Sequence, residues 1–200
     1  MKKMFVVLFP QEEYVGRDKG YIPHFNECIK RRYQEKGYEV CAVNYIDSDG
    51  FVKLPKIKRV DADISFKQSS PYFTEFPKVP DFRKIAGDLK VEGYDEVVVG
   101  GYHCFDCVQK LAMEIYALNP NVMIDTELTE MFLHRHRMND FDIENFNPNQ
   151  KIDSFLSLEG EPDAWQVERM LKKYSHPIWG ITDQYKKYLN DLLESNIEKE

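Results

Sequence analysis

Short apolar runs alternate with helical stripes from residue 4 to about residue 125. The chain therefore reads as α/β: a three-layer α/β/α sandwich with a mainly parallel, doubly wound sheet, plus C-terminal helices. Three observations carry this. MFVVL (Met4 to Leu8), EVCAVNYI (Glu39 to Ile46) and EVVV (Glu96 to Val99) are continuous apolar runs of buried-strand length. The segments between and after them carry apolar residues at helical intervals. Glycine or proline punctuates the joins.

The elements follow in order. Pro10 closes the first strand, and QEEYVGRDKG is a polar loop at its carboxyl end. Ile22, Phe25, Ile29 and Tyr33 make one helix face, which Gly37 ends. Cys28 shares that face and Cys41 lies inside the second strand; packing explains both. Residues 47 to 80 are irregular and contain several prolines, with a short strand at Ile64 to Phe66 and Lys67 at its carboxyl end. Phe82, Ile85, Ala86 and Leu89 form the next helix, ended by Gly93. After the strand at Glu96 comes a tight turn at Gly100-Gly101. A helix through Val108, Leu111, Ala112, Ile115 and Tyr116 follows, and then a strand at Val122 to Ile124 closed by Asp125.

The core spans residues 1–138, and residues 139–200 form a C-terminal helical extension packed on the core or on a partner subunit, within a single domain. The extension holds two helical stripes, Ala164/Val167/Leu171/Tyr174 and Ile181/Tyr185/Tyr188/Leu189/Leu192, the second after a Thr182-Asp183 cap.

The chain has 200 residues, enough for one full domain. A net charge of -7 argues against nucleic-acid or anionic-membrane binding. No apolar run approaches membrane-spanning length, and the start lacks the apolar core of a signal peptide. Four cysteines are too few for a secreted disulfide scaffold, so a reducing cytoplasm is expected.

In parallel sheets ligands sit at the carboxyl ends of strands. The chemically distinctive stretch there is GYHCFDCV, where a strand hands over to a helix. Free N–H groups at a helix start favour a thiolate, the nucleophilic form of cysteine, and stabilise an oxyanion. Cys107 is the expected nucleophile. Cys104 falls on the stripe that faces the sheet and is expected to be more buried; its packing role stays open. Tyr102 and His103 line the pocket or loop. Cys104 and Cys107 also form a C-x-x-C, which suits a dithiol redox pair. A zinc site from Cys104, Cys107, His134 and His136 is a further reading, although its His-x-His spacing is tight for a closed structural site.

The stretch GYDEVVVGGYHCFDCVQKLA resembles the nucleophile region of the isochorismatase-like cysteine hydrolases. Gly101, Cys107 and Val108 match that family's pattern, while Cys104 and Phe105 stand where Thr and Asp are usual. Ile124-Asp125 resembles its strand-end aspartate. ISFKQSSPYF is similar to its lysine segment, which singles out Lys67. VVLFPQEEY resembles its strand-Asp-x-Gln pattern: Gln11 and Tyr14 match, and Phe9 occupies the aspartate position. The resemblance spans about residues 4 to 130 and implies a six-stranded sandwich, usually oligomeric. It implies a Cys-Lys-Asp triad that hydrolyses amide or vinyl-ether bonds of small molecules. Phe9 accepts no proton, so either Glu12 or Glu13 supplies the acid from the same loop, or the hydrolase chemistry is lost and a binding or assembly protein remains. Asp47-Ser48-Asp49-Gly50 carries no histidine where metal-binding members have one, so no metal and no other cofactor is expected. The expected partners are a small-molecule substrate and a second copy of the chain, as a homo-oligomer.

Overall fold

The computed structural model describes residues 1–15, 20–130, 144 and 164–197; for residues 104, 105, 130, 164, 166, 196 and 197 only the backbone is described. Five strands are present among them: β1 (Lys3–Leu8), β2 (Tyr38–Asn44), β3 (Lys58–Asp61), β4 (Glu96–Tyr102) and β5 (Val122–Glu130). All pair in parallel, in the order β3-β2-β1-β4-β5. The helices are α1 (Glu12–Val15), α2 (Tyr21–Arg32), α3 (Phe66–Ser69), α4 (Phe82–Leu89), α5 (Gln109–Leu118), α6 (Ala164–Tyr174) and α7 (Asp183–Ile197).

Side chains alternate along a strand, so β1 feeds two cores. Met4, Val6 and Leu8 pack with Ile85 and Leu89 of α4 and with Leu111 and Ile115 of α5. Phe5 and Val7 pack on the other face with Phe25, Cys28 and Ile29 of α2. The sheet thus has helices on both faces, as the alternation predicts. Cys28 and Cys41 are fully buried among these apolar side chains. The helical extension joins the first core through Val167, Met170, Tyr174, Tyr185 and Leu189. A single turn at Pro177–Trp179, not foreseen from the sequence, drives Ile178 and Trp179 into the same cluster. Thr182 caps α7 by accepting from the Tyr185 amide at 3.2 Å. Among the described residues no helix is long and apolar enough to cross a membrane.

Three expectations are corrected. Gly100 and Gly101 are not a turn but the interior of β4. They are small because β1 and β5 press close. A Cβ at Gly101 would lie 2.2 Å from the Leu8 carbonyl oxygen, and its φ is +111°. The third strand is Lys58–Asp61, not Ile64 to Phe66. Ser65 instead caps α3 in a reciprocal box with Gln68, which folds Phe66 and Lys67 into a helical turn. Asp125 does not end the last strand. Pairing slips from Val99↔Ile124 to Gly101↔Thr129, so residues 125 to 128 bulge.

Asp125 holds that bulge from inside. One carboxylate oxygen accepts from the amides of Glu127 (3.0 Å) and Leu128 (3.1 Å). The other accepts from Arg32 (3.0 Å) and from the Tyr33 hydroxyl (2.6 Å). Arg32 also meets Glu127 at 2.6 Å, and all three charged side chains are buried. Burial works against the Arg32 charge, but Asp125 and Glu127 outweigh it and raise its pKa above the ordinary value. Burial and the Asp125 carboxylate likewise push the Tyr33 hydroxyl up, so it stays a donor.

Arg32→Met leaves two buried carboxylates facing each other. It is expected to lower the unfolding free energy by about 3–5 kcal/mol in urea titration. Lys84→Ala breaks only the exposed Lys84–Asp88 pair at 3.5 Å and should shift stability by about 0.5 kcal/mol or less. Gly101→Ala should abolish cooperative unfolding altogether. Gly37→Ala, at φ +82° with nothing within 4 Å of the added carbon, should cost only about 1 kcal/mol.

Candidate active site

The chain runs outward from β1 to β2 and β3, then returns to build β4 and β5 on the other side of β1. The strand order reverses between β1 and β4, and the crevice at their carboxyl ends is where such sheets take ligands. Two segments meet there. One follows β1: Phe9, Pro10, Gln11 and α1. The other follows β4: a cis peptide bond joins Tyr102 to His103, and Cys104–Val108 makes one π-helical turn that leads into α5. Such wide turns occur often at functional sites. The amides of Asp106 and Val108 both donate to the His103 carbonyl, each at 3.1 Å.

Aromatic rings line the meeting place. Tyr14 stacks on Tyr102 with centroids 5.3 Å apart and meets the edges of His103 (4.7 Å) and Phe66 (5.5 Å). Its hydroxyl lies 3.2 Å from that of Tyr45, which donates to Ser69 Oγ at 3.2 Å. Burial raises the pKa of both tyrosines, and a charge on Cys107 would raise each further. Both hydroxyls therefore stay protonated.

Cys107 is half-buried at the head of α5. Its thiol donates to Asp106 Oδ2 at 3.7 Å, and Asp106 Oδ1 pairs with Lys110 Nζ at 2.6 Å. The expected thiolate is not favoured here. Burial and the neighbouring Asp106 carboxylate push the thiol up to about 12, against a smaller opposite pull from Lys110 and a backbone contact with His103. The helix start does not overcome the carboxylate one residue away.

The other foreseen residues fall as follows. Phe9 has φ 50° and is fully buried, stacked on Tyr45 with centroids 4.1 Å apart. The position where the resemblance implies an aspartate is thus part of the apolar core. Glu12 and Glu13 are exposed on α1. Lys67 is exposed on α3, while its neighbour Phe66 turns inward. The charges that move the Cys107 thiol most are Asp106 and Lys110, not Lys67. Gln11 is fully buried, and both its carboxamide atoms lack a hydrogen-bond partner among the described residues. Gly101 holds β4 against β1, and Tyr102 is buried beneath Tyr14. The side chain of Cys104 and all of His134 and His136 lie outside the described residues. No group of three or more His, Cys, Asp or Glu suited to a metal exists among those described.

Sequence reading missed Tyr45, Asp106 and Lys110. Asp106 and Lys110 carried a signal, since a carboxylate beside the cysteine and a lysine four residues on share one helix face. Tyr45 carried none, because its stack on Phe9 joins two strands.

Alkylation of Cys107 by iodoacetamide, followed by peptide mass spectrometry, should climb about tenfold per pH unit from pH 8 to pH 10.5 without a plateau, because the thiolate is the reacting form. Lys67→Ala should leave that profile in place. A plateau below pH 9, or a profile that moves with Lys67, would contradict the arrangement.

No family model and no curated protein matches the chain. Among solved structures it is similar to an N-carbamoylsarcosine amidase from Thermoplasma acidophilum, at 17% identity and a TM-score of 0.44, over 80% of this chain and 94% of that one.

Proposed function

We propose that the protein is a cysteine-dependent hydrolase, which cleaves an amide or related C–N or C–O bond of a small molecule with Cys107 as nucleophile. The observation that carries this reading is the half-buried Cys107, packed with Tyr14 on the cluster that holds Tyr45, near the end of β4 where the strand order reverses. A second observation speaks for a ligand. Buried carboxamides are nearly always hydrogen-bonded, and Gln11 is fully buried with neither atom paired among the described residues. In this reading Gln11 binds a polar group of the substrate. Tyr14, Tyr102 and His103 form the apolar wall, and the amides that open the π turn at His103 and Cys104, next to Gly101, receive the developing oxyanion. Lys67 meets the substrate's charge from the rim, and Glu12 and Glu13 remain outer residues of the same loop. A neutral thiol attacks only as its proton leaves, so a base must act at the moment of attack.

A binding protein that has lost catalysis is the second reading, and the Phe9–Tyr45 stack favours it: the position that implies an acid holds a core ring.

With p-nitrophenyl acetate at pH 8.5, the hydrolase reading expects S-acetylation at Cys107, faster than at the fully buried Cys28 and Cys41, and release of nitrophenol beyond one equivalent. Cys107→Ala should keep its circular dichroism and lose both. Acetylation absent from Cys107, or turnover unchanged in Cys107→Ala, would leave the binding reading in its place.

A further inference from the structure

We infer that Asp106 is the catalytic base for Cys107 and that Lys110 is the positioning residue that aims it, so that thiol, acid and cation all come from one turn of the chain. This rests on the reading of Cys107 as nucleophile.

The two oxygens of the Asp106 carboxylate face different partners. Oδ1 is held by Lys110 Nζ at 2.6 Å, and Oδ2 accepts from the Cys107 thiol at 3.7 Å. Lys110 therefore fixes the rotation of the carboxylate and leaves the other oxygen to the sulfur. Adjacent side chains on a regular helix diverge by about 100°. Here the amides on either side of Cys107 share the His103 carbonyl, in the π turn that precedes α5. Asp106 and Cys107 meet within that irregularity. Among the described residues, Glu12 and Glu13 are exposed on α1, and Phe9 offers no acceptor.

A carboxylate beside a thiol does two things. At rest its charge disfavours the thiolate, so Cys107 is stored neutral. During attack it accepts the proton as the sulfur's lone pair becomes a bond, and no free thiolate has to form. The steps balance with water as co-reactant. Sγ bonds to the substrate's carbonyl carbon as its proton passes to Asp106 Oδ2. The C–N bond then breaks, and that proton passes to the leaving nitrogen, which departs as an amine. Water next attacks the thioester while Asp106 takes its proton. The C–S bond breaks, the acid departs, and the proton returns to Sγ. Asp106 is about half exposed, which gives that water access. The bland alternative is a solvated i,i+4 ion pair on the first turn of α5, with no part in the chemistry.

The groups around the sulfur are Asp106, Lys110, Tyr14, Tyr45 and His103. The test separates formation from hydrolysis of S-acetyl-Cys107 with p-nitrophenyl acetate, alongside iodoacetamide alkylation at pH 8. In Asp106→Asn the repelling charge is gone, so alkylation should quicken, whereas hydrolysis of the acetyl-enzyme should slow about 100-fold. Lys110→Met should slow alkylation and also slow hydrolysis. Asp106→Glu should recover part of the hydrolysis. Alkylation that rises in Asp106→Asn without any loss of acetyl-enzyme hydrolysis would reduce the pair to a solvated salt bridge and overturn the inference alone. A wild type that is not acetylated at Cys107 would overturn the inference together with the hydrolase reading beneath it.

Discussion

The close approach of β4 to β1 is the constraint on which the rest of the site depends. At Gly101 the two backbones are so near that a Cβ would fall 2.2 Å from the Leu8 oxygen. That contact draws the carboxyl ends of the two strands together. It brings Tyr102 and His103 against Tyr14, which the loop after β1 supplies. Were the strands spaced by a side chain at 101, Tyr14 and the segment bearing Tyr102, His103 and Cys107 would face each other across a gap. The strand order makes this junction the reversal point, and the glycine makes it tight.

The opposite face of the sheet has its own fastening. Burying Arg32, Asp125 and Glu127 together takes three charges from water, which is tolerable only because nearly every lone pair of Asp125 is used. The result ties the end of α2 to the bulge of β5, two parts of the chain 93 residues apart. The bulge lets β5 slip past β4 and resume pairing beside Gly101 and Tyr102. The ionic cluster and the glycine contact therefore act on the same strand end, one from each neighbour of β4.

Most of the fold was legible in the sequence because its signals are local. Continuous apolar runs marked β1, β2 and β4, and helical spacing marked α2, α4, α5, α6 and α7. What stayed hidden depended on partners far away in the chain. β3 is a half-exposed edge strand, KRVD, with no apolar run to announce it. The bulge at residues 125 to 128 has a cause in Arg32. Gly100-Gly101 looks the same in a sequence whether it turns the chain or admits a neighbour, and only the position of Leu8 decides. Within the site, Cys107 and Gln11 were legible as residue types at a strand end. The state of the thiol was not, since burial and the side-chain direction of Asp106 set it.

Phe9 explains how these parts can belong together. In a three-residue arrangement spread over three strands, an acid on β1 has to lie beside the sulfur on the far side of a tight junction. Here that place is taken by a ring stacked 4.1 Å from Tyr45, which closes the core below the crevice. A carboxylate introduced at residue 9 would be buried with no cation described beside it, and burial of an unpaired charge is strongly unfavourable. With Asp106 as the proposed base, the carboxylate comes instead from a position that water reaches. Asp106 meets that condition: it is half exposed, paired to a lysine, and within reach of the sulfur. The apolar residue at β1 and the solvated carboxylate at α5 are two sides of one arrangement, in which the core is sealed beneath the site and charge is confined to its rim.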